Sequence, residues 1–179
     1  MTVPSDFAAC RAWLIPEEGG LSDDPHDPGG RTYEGIEQTE YDAWCRLYHM
    51  PPGDVAKASE AVITSIYRVQ YWIPYCATLP PGVNLVFFDI SVNQGQNPAV
   101  VFLQRSLGIS ADGHWGVITA AAVKDINNGG AISKEVIEEM TALRVSRYKG
   151  TRNFKRYGHD WLKRAADCQT LALKMAGVE

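Results

Sequence analysis

The chain has 179 residues, of which 45% are hydrophobic and 21% are charged, and its formal net charge is −4. This composition is typical of one globular domain or of two closely packed lobes, and it excludes an intrinsically disordered chain. No stretch approaches 18 consecutive apolar residues, so we expect no membrane-spanning helix.

The first predicted element is a helix over residues 5–18, with Ser5 as its N-cap. At 100° per residue, one face of this helix is apolar. That face consists of Phe7, Cys10 and Leu14.

Two neighbouring carboxylates end this helix, and the helical wheel separates them. Glu18 falls inside the apolar face, whereas Glu17 falls near its edge. Pro16 precedes both, and we expect it to kink the helix or to end it near Ile15.

Residues 19–36 contain the densest turn signals of the chain, with two Gly-Gly pairs and two Asp-Pro pairs. They predict a loop or a short irregular hairpin, rich in acidic residues.

Further along, helices dominate, although residues 83–94 are so continuously apolar that periodicity does not distinguish a buried helix from a strand. The other predicted helices are 39–48 with Thr39 as cap, 59–73 opened by Ser59, 97–107 begun by Asn97-Pro98 and followed by Gly108, 117–126, a long helix capped by Ser133, and 160–176 closed by Gly177.

The four cysteines, at positions 10, 45, 76 and 168, show no metal-binding spacing, and each lies in an apolar stretch. We therefore expect buried free thiols rather than disulfides. The fold class that these patterns predict is mainly α, with one irregular acidic loop.

Charge is distributed unevenly along the chain. Residues 1–60 hold twelve acids and four bases, whereas residues 144–164 hold eight bases and one acid. The basic segment fits a solvated helix surface, or a surface that attracts a polyanion such as nucleic acid, anionic lipid or a bacterial wall polymer. Charge alone does not choose among these.

The acidic loop brings one carboxylate at the end of an apolar helix face together with others in a polar loop. Glu18, Asp27 and Thr32 are separated by eight and four intervening residues. Burial keeps one carboxyl protonated while a polar setting keeps another ionised, which is the division of labour that glycosidic bond cleavage needs. Two alternatives stay open: an ordinary acidic surface turn, and a cation site, although the acids do not follow the calcium-loop spacing.

Several motifs together resemble glycoside hydrolase family 108, the phage and bacterial muramidases with an EGG…DPxDPGGxT…GI signature. The matching residues are Glu18-Gly-Gly, Asp24-Pro-His-Asp27-Pro-Gly-Gly-Arg-Thr32 and Gly35-Ile36. Leu21 stands where the family has an aromatic residue, and the aromatic of its TNYGI motif is shifted by one position, to Tyr33. The second half resembles the peptidoglycan-binding region that follows this catalytic segment. Its matching residues are Phe88-Asp89-Ile-Ser-Val-Asn93-Gln-Gly95, Phe102-Leu103-Gln104, Leu107-Gly108, Asp112-Gly113-His-Trp115-Gly116 and Thr119.

The resemblance implies a lysozyme-like, mainly helical fold with a short β or loop segment near residues 19–37. It implies a catalytic lobe over 1–82 and a peptidoglycan-binding lobe over 83–179, packed as one unit. It also implies that Glu18 is the general acid, Asp27 the second carboxylate and Thr32 the third member of a catalytic triad.

Three residues are candidate contacts to the sugar strand: Tyr33, Asn93 and Trp115. Asp89 and Asn93 share a helix face, so they fit either a buried polar pair or, for Asn93, the wall of a sugar groove. Trp115 fits either a core plug beside a turn or a loop that contacts the wall.

The function that the resemblance implies is that of a phage endolysin, an N-acetylmuramidase that hydrolyses the β-1,4 bond between N-acetylmuramic acid and N-acetylglucosamine. We expect a monomer that needs no cofactor or metal, has bacterial peptidoglycan and not nucleic acid as its partner, and contacts the anionic envelope through residues 144–164. Because Met1–Asp6 carry no signal-like pattern, we expect accumulation in the host cytoplasm until a holin opens the membrane. A lytic transglycosylase and a non-catalytic wall-binding module are the rival interpretations.

Overall fold

The computed structural model describes residues 6–23, 30–126 and 130–178. In these ranges the chain is mainly helical and carries one small sheet, which confirms the predicted fold class. The helices are α1 (Asp6–Glu18), α2 (Gln38–Leu47), α3 (Glu60–Ile66), α4 (Val83–Gln94), α5 (Gln96–Ser106), α6 (Val117–Ile126), α7 (Gly130–Lys149) and α8 (Phe154–Ala176). The strands are β1 (Leu21–Ser22), β2 (Thr32–Tyr33) and β3 (Ile36–Glu37), and short 3-10 turns cover Val55–Lys57 and Cys76–Thr78.

Helix α1 has the predicted length and buries the predicted face, because Phe7, Cys10 and Leu14 are all buried. The expectation that Pro16 ends the helix near Ile15 is wrong, since the helix continues to Glu18. Pro16 lies only two residues from the helix end, so the missing N–H affects just the last turn. The predicted cap, Ser5, lies outside the described residues.

The acidic segment, which we predicted to be a loop or a short irregular hairpin, forms an antiparallel meander in the order β1-β2-β3. Tyr33 pairs with Ile36, so Glu34 and Gly35 form the two-residue turn between β2 and β3. Both turn residues have positive φ, +46° and +78°, which is the geometry of a type I′ hairpin turn. This turn carries Gly35 back towards the end of α1.

Helix starts deviate from the predictions more than helix ends. Thr39 does not cap α2, since its hydroxyl donates to the Glu37 carboxylate and Glu37 occupies the N-cap. Ser133 does not cap α7 either, because that helix begins at Gly130 and Ser133 lies buried inside it. Helix α5 begins at Gln96, which makes Pro98 its third residue rather than its first.

Other end signals are confirmed. The Ser59 hydroxyl accepts a hydrogen bond from the Val62 amide and caps α3. Gly108 and Gly177 follow α5 and α8 with φ of +66° and +67°, as expected of glycines just beyond a helix end. Helix α6 has the predicted bounds, and α8 begins six residues earlier than predicted.

Helix α3 passes into one π-helical segment, Tyr67–Trp72, within the range predicted as a single helix. Such segments are rare and are frequent at functional sites. Here the segment carries Tyr67, whose hydroxyl donates to the Glu34 carbonyl of the β2–β3 turn, and Tyr71, whose hydroxyl donates to the Glu40 carboxylate of α2.

Helix α4 runs through the centre of the molecule, and residues 83–91 are all buried. It contacts α1, α5, α7 and α8. Burial on all sides explains the apolar run, which periodicity alone left ambiguous. One core cluster includes residues from Phe7 to Ala172, while the boundary between residues 82 and 83 stays a prediction.

All four cysteines are free and buried, as predicted. Within the described ranges, no helix is both long enough and apolar enough to cross a membrane.

Candidate active site

Glu18 lies at the C-terminal end of α1 and points inward, with 15% of its side chain exposed. Its Oε1 accepts a hydrogen bond from Nη2 of Arg164 at 2.5 Å. The same guanidinium donates through Nη1 to the backbone carbonyl of Glu17 at 3.4 Å, where a helix has unpaired carbonyls that attract a cation. Arg164 therefore fixes both the last turn of α1 and the side chain of Glu18, while the Glu17 side chain is exposed.

Arg164 is held in turn by Asp89 of α4, which is fully buried. Asp89 Oδ1 accepts from Nε and Nη2 of Arg164 at 3.0 and 2.6 Å. Asp89 Oδ2 accepts from Nη1 of Arg144 at 2.5 Å. Burial opposes ionisation of Asp89, but the two arginines outweigh it and hold the pKa of this carboxyl below its usual range.

The buried polar chain continues along α4 by one helical turn, from Asp89 to Asn93. Arg144 Nε donates to the Tyr148 hydroxyl oxygen at 2.8 Å, and the Tyr148 hydroxyl donates to Asn93 Oδ1 at 2.5 Å. Asp89 thus has the role of a buried polar residue that joins neighbouring helices. Asn93 has a hydrogen-bond role as well, and it also lines a cavity.

The second oxygen of Glu18, Oε2, lies against the β2–β3 turn. A Cβ atom built on Gly35 would lie 3.0 Å from this oxygen and 2.7 Å from the Tyr67 hydroxyl oxygen. The Tyr67 hydroxyl itself donates to the Glu34 carbonyl at 2.5 Å. Among the described residues, no hydrogen bond occupies Oε2, so it is the oxygen left for a reacting group.

Thr32 lies in β2, opposite Ser22 and Glu37. Its hydroxyl donates to the Gly30 carbonyl at 3.3 Å. Arg31 beside it pairs with Asp23 and donates through Nε to Asp54 at 2.9 Å, which ties the acidic segment to the 3-10 turn. Asp27, the predicted second carboxylate, lies outside the described residues, so its distance from Glu18 stays a prediction.

Tyr33 alternates with Thr32 along β2 and packs against the core. Its neighbour Glu34 raises the pKa of its hydroxyl, with burial as the second cause. Arg11 lies 3.6 Å from the Glu34 carboxylate and 2.6 Å from that of Glu60. Tyr33 is therefore adjacent to the Glu18 site through the turn that follows it.

Glu40, in the first turn of α2, is a partly buried carboxyl that the sequence analysis did not single out. The Tyr71 hydroxyl lies 3.2 and 3.4 Å from its two oxygens. Burial raises the pKa of Glu40 to about 7, against the lowering effect of the Tyr71 hydrogen bond. Burial also raises the pKa of Tyr71, with Glu40 and more weakly Glu18 contributing, so this pair lies within the electrostatic reach of the Glu18 carboxylate.

Trp115 occupies a different part of the fold. Its ring centroid lies 5.0 Å from that of Tyr75 and 5.8 Å from that of Phe87. In the part of the chain that the structure describes, none of its ring contacts reaches Glu18 or Arg164. This packing favours the core-plug interpretation, and a contact of Trp115 with the wall stays a prediction.

Comparisons with known proteins identify the family. The sequence profile described as glycosyl hydrolase 108 matches residues 11–95, which include Glu18, Thr32, Asp89 and Asn93. Among solved structures, SagA of Brucella abortus is 30% identical to this chain over 95% of each chain, with a TM-score of 0.79. The search of curated protein sequences found no match. The chain belongs to glycosyl hydrolase family 108.

Membership of family 108 implies a glycoside hydrolase that acts on peptidoglycan. The family profile ends at residue 95, so it does not cover the predicted peptidoglycan-binding region in the second half of the chain. Across the described residues, no group of three or more His, Cys, Asp or Glu side chains is arranged to hold a metal ion. The cation site that the sequence left open would use Asp23, Asp24 and Asp27, of which Asp24 and Asp27 lie outside those residues.

For this family 108 chain, sequence reasoning missed Arg164, the residue that holds Glu18. Arg144 and Arg164 both belong to the basic segment 144–164, yet they are 1% and 8% exposed. Two of its eight bases are therefore buried ion-pair partners rather than surface charges. The signal that pointed to them was Asp89, a lone acid within an apolar run, because a buried charge requires a partner.

Proposed function

We propose that the protein is an N-acetylmuramidase that hydrolyses the β-1,4 bond between N-acetylmuramic acid and N-acetylglucosamine. Glu18 is the general acid that protonates the leaving oxygen. The observation that carries the proposal is the geometry of this carboxyl, because Arg164 holds Oε1 while Oε2 is left beside the Gly35 turn. A fixed and largely water-shielded carboxyl is what proton transfer to a glycosidic oxygen needs.

Asp27 is the second carboxylate in this proposal, and Thr32 orients it or the attacking water. Support for Thr32 comes from its place in β2, the strand that leads directly into the Gly35 turn beside Glu18. Tyr33 and Asn93 contact the sugar strand in this proposal, and Trp115 is the third candidate contact. The role of a phage endolysin, released through a holin, stays a prediction.

The decisive experiment compares two neighbouring carboxylates. We expect Glu18→Gln to lower the rate of wall lysis by at least about 10²-fold, the usual contribution of a general acid, while circular dichroism stays that of the native protein. Glu17→Gln is the matched control, because this side chain is exposed, and it should keep most of the activity. Loss of activity in Glu17→Gln with a fully active Glu18→Gln would refute the assignment.

Mass spectrometry of the digested peptidoglycan then separates the reaction types. Reducing muramic acid ends indicate hydrolysis, whereas anhydro-muramic ends indicate a lytic transglycosylase. Binding to walls without any soluble product would identify a non-catalytic wall-binding module.

A further inference from the structure

A cavity of about 280 Å³ lies at the end of the buried polar chain that starts at Glu18. It is close to the lower limit of the range of small-molecule sites, roughly 300–1,000 Å³, so its size suits one sugar substituent or one small acidic group. Three elements form it: the C-terminal end of α4, the C-terminal end of α7 with the turn that follows, and α8. The lining residues are Asn93, Gln94, Arg147, Tyr148, Thr151 and Trp161.

The floor of the cavity is rigid. The rings of Tyr148 and Trp161 stack at a centroid distance of 5.1 Å and an angle of 25°. Tyr148 is only 4% exposed, and its hydroxyl is fixed between Arg144 and Asn93. A pocket built on stacked rings and a closed hydrogen-bond chain is preorganised for a ligand.

The polar groups of the cavity lining that have no hydrogen-bond partner in the described part of the chain are chiefly hydrogen-bond donors. Asn93 uses its oxygen for Tyr148, and its amide nitrogen makes no hydrogen bond within the described residues. Both polar atoms of the Gln94 side chain are buried and lack a partner there. Arg147 is exposed and forms no ion pair with any described residue, and none of the six lining residues is acidic.

A buried amide without partners, such as that of Gln94, is uncommon in folded proteins, and it indicates a missing ligand or water. A guanidinium next to amide donors matches an anion with planar oxygens, because arginine binds carboxylates in a bidentate way. Trp161 adds an apolar wall that suits the carbon skeleton carrying such a group. Together these groups fit a carboxylate attached to an organic substituent better than they fit a cation or an uncharged sugar.

The cavity lies close to the proposed site of bond cleavage. Asn93 is one turn beyond Asp89 on α4, a rise of about 6 Å, and Trp161 is three residues before Arg164 on α8, a rise of about 4.5 Å. Asp89 and Arg164 are the residues that hold Glu18. The cavity therefore lies about one helical turn from the residues that hold Glu18, and a neighbouring substituent of a bound strand is the group that we place in it.

We propose that this cavity binds a carboxylate carried by the peptidoglycan strand, with Arg147 as the residue that recognises the charge. Two sources present this chemistry: the lactyl carboxylate of muramic acid in strands without peptides, and the carboxylates of the peptide stem. The proposal rests on peptidoglycan being the substrate, and it adds a recognition site to the muramidase proposed above.

The test measures dissociation constants by calorimetry in the Glu18→Gln background, which prevents turnover of the ligands. Three soluble ligands are compared: glycan fragments with peptide stems, the same fragments after amidase removal of the stems, and uncharged chitin oligosaccharides. Arg147→Gln should weaken binding of the carboxylate ligands about tenfold or more, as loss of a charge-assisted hydrogen bond does. Binding of chitin oligosaccharides should stay unchanged, and Arg147→Lys should restore part of the lost affinity.

The stem-bearing and stem-free fragments separate the two sources. An effect confined to stem-bearing fragments identifies the stem carboxylates. An effect confined to stem-free fragments identifies the lactyl carboxylate, because this group is free only after the stem is removed, and an effect on both shows that the cavity accepts either carboxylate. Arg105→Gln is the matched control, since this exposed arginine lies on α5 away from the cavity lining, and it should leave all three constants unchanged.

The proposal is overturned if Arg147→Gln binds both acidic ligands as tightly as the parent, or if chitin oligosaccharides lose the same affinity. These outcomes are independent of the catalytic proposal. A wild-type protein that binds the fragments through Arg147 but never cleaves them would refute the muramidase and keep the cavity assignment.

Discussion

Replacing Asp89 by asparagine tests the buried ion pairs that hold Glu18. The substitution keeps the shape of the side chain and removes one negative charge that lies between two buried guanidinium groups. Asparagine has one oxygen, so either Arg144 or Arg164 must face an amide NH₂ group instead of an acceptor. One buried cation is then left without compensation.

The expected loss is large compared with the stability of a single domain. Removing one partner of a buried ion pair destabilises a protein by about 3–5 kcal/mol, whereas the total free energy of unfolding of a domain is about 5–15 kcal/mol. At this chain length, about 2–4 °C per kcal/mol gives a melting temperature lowered by roughly 6–20 °C. We expect Asp89→Asn to show this loss in urea unfolding and in thermal melting at pH 7.

The matched control is Asp167→Asn. Asp167 pairs with Lys163 one turn away on α8, and the two side chains are 45% and 69% exposed. An exposed pair of this kind contributes about 0.3–0.5 kcal/mol, so the control should melt within about 2 °C of the wild type. The contrast between the two variants separates burial from charge removal as such.

The pH dependence provides a second check with a definite sign. The arginines lower the pKa of Asp89 in the folded protein, so its contribution to stability is fully present above the unfolded value of about 3.9. It is lost as the pH falls through the lowered folded pKa. The stability difference between wild type and Asp89→Asn should be constant from about pH 5 to 8 and should shrink below about pH 4. A difference under about 1 kcal/mol at pH 7, or one that persists unchanged at low pH, would refute the reasoning.

Two further predictions concern the β2–β3 turn and the basic surface. Gly35→Ala places a methyl group against Tyr67 and Glu18 at φ +78°, so we expect a loss of about 1–3 kcal/mol and a lower rate of wall lysis. Gly108→Ala is the control, because Gly108 has φ +66° and open space around it. It should lower the melting temperature only through backbone strain and should keep full lytic activity. Equal activity of the two variants would contradict the contact with Glu18. Neutralising four exposed bases should weaken co-sedimentation with purified walls and flatten its salt dependence, without changing the rate on short soluble fragments, and unchanged sedimentation would contradict a wall-binding role. Those four are Lys149, Arg152, Lys155 and Arg156.

Local patterns predicted the part of the site that depends on one helix. The 3.6-residue period places Glu18 inside the apolar face of α1 and Glu17 near its edge, and the structure has Glu18 partly buried and Glu17 exposed. Glycine and proline signals likewise predicted a loop or a short irregular hairpin, and the structure has a hairpin that brings Gly35 back to Glu18. These features depend on neighbours within a few residues, which a sequence shows directly.

The start of α8 shows where local signals mislead. Gly158 lies just before the predicted start of this helix near residue 160, and glycine is unfavourable inside a helix. In the structure the helix begins at Phe154, and a Cβ atom on Gly158 would lie 2.8 Å from the Phe154 ring. The glycine is therefore a packing requirement inside the helix rather than a signal for its end.

The pairing of Asp89 depends on tertiary structure. The sequence indicates that this acid needs a cationic partner, but it does not identify which one. A lone acid within the apolar run 83–94 must find a cation when it is buried, because an unpaired buried charge is strongly unfavourable. The basic segment 144–164 offers eight candidates, and helical periodicity does not choose among them. The choice falls on Arg144 and Arg164 because α7 and α8 both pack against α4 and against each other.

This pairing also changes how the basic segment is interpreted. With Arg144 and Arg164 buried, six bases and one acid are left, a net charge of +5 instead of the +7 that the sequence suggests. One of the six, Arg147, lines the cavity, and another, Lys163, is paired with Asp167. The segment therefore has three roles. Two of its bases neutralise the buried acid Asp89, and a third, Arg147, supplies a cation to the cavity. Four further bases are exposed to solvent. Neither a solvated face nor a polyanion site accounts for the buried ion pairs with Asp89. The residues that matter most for Glu18 are Arg144 and Arg164, the two bases that solvent does not reach.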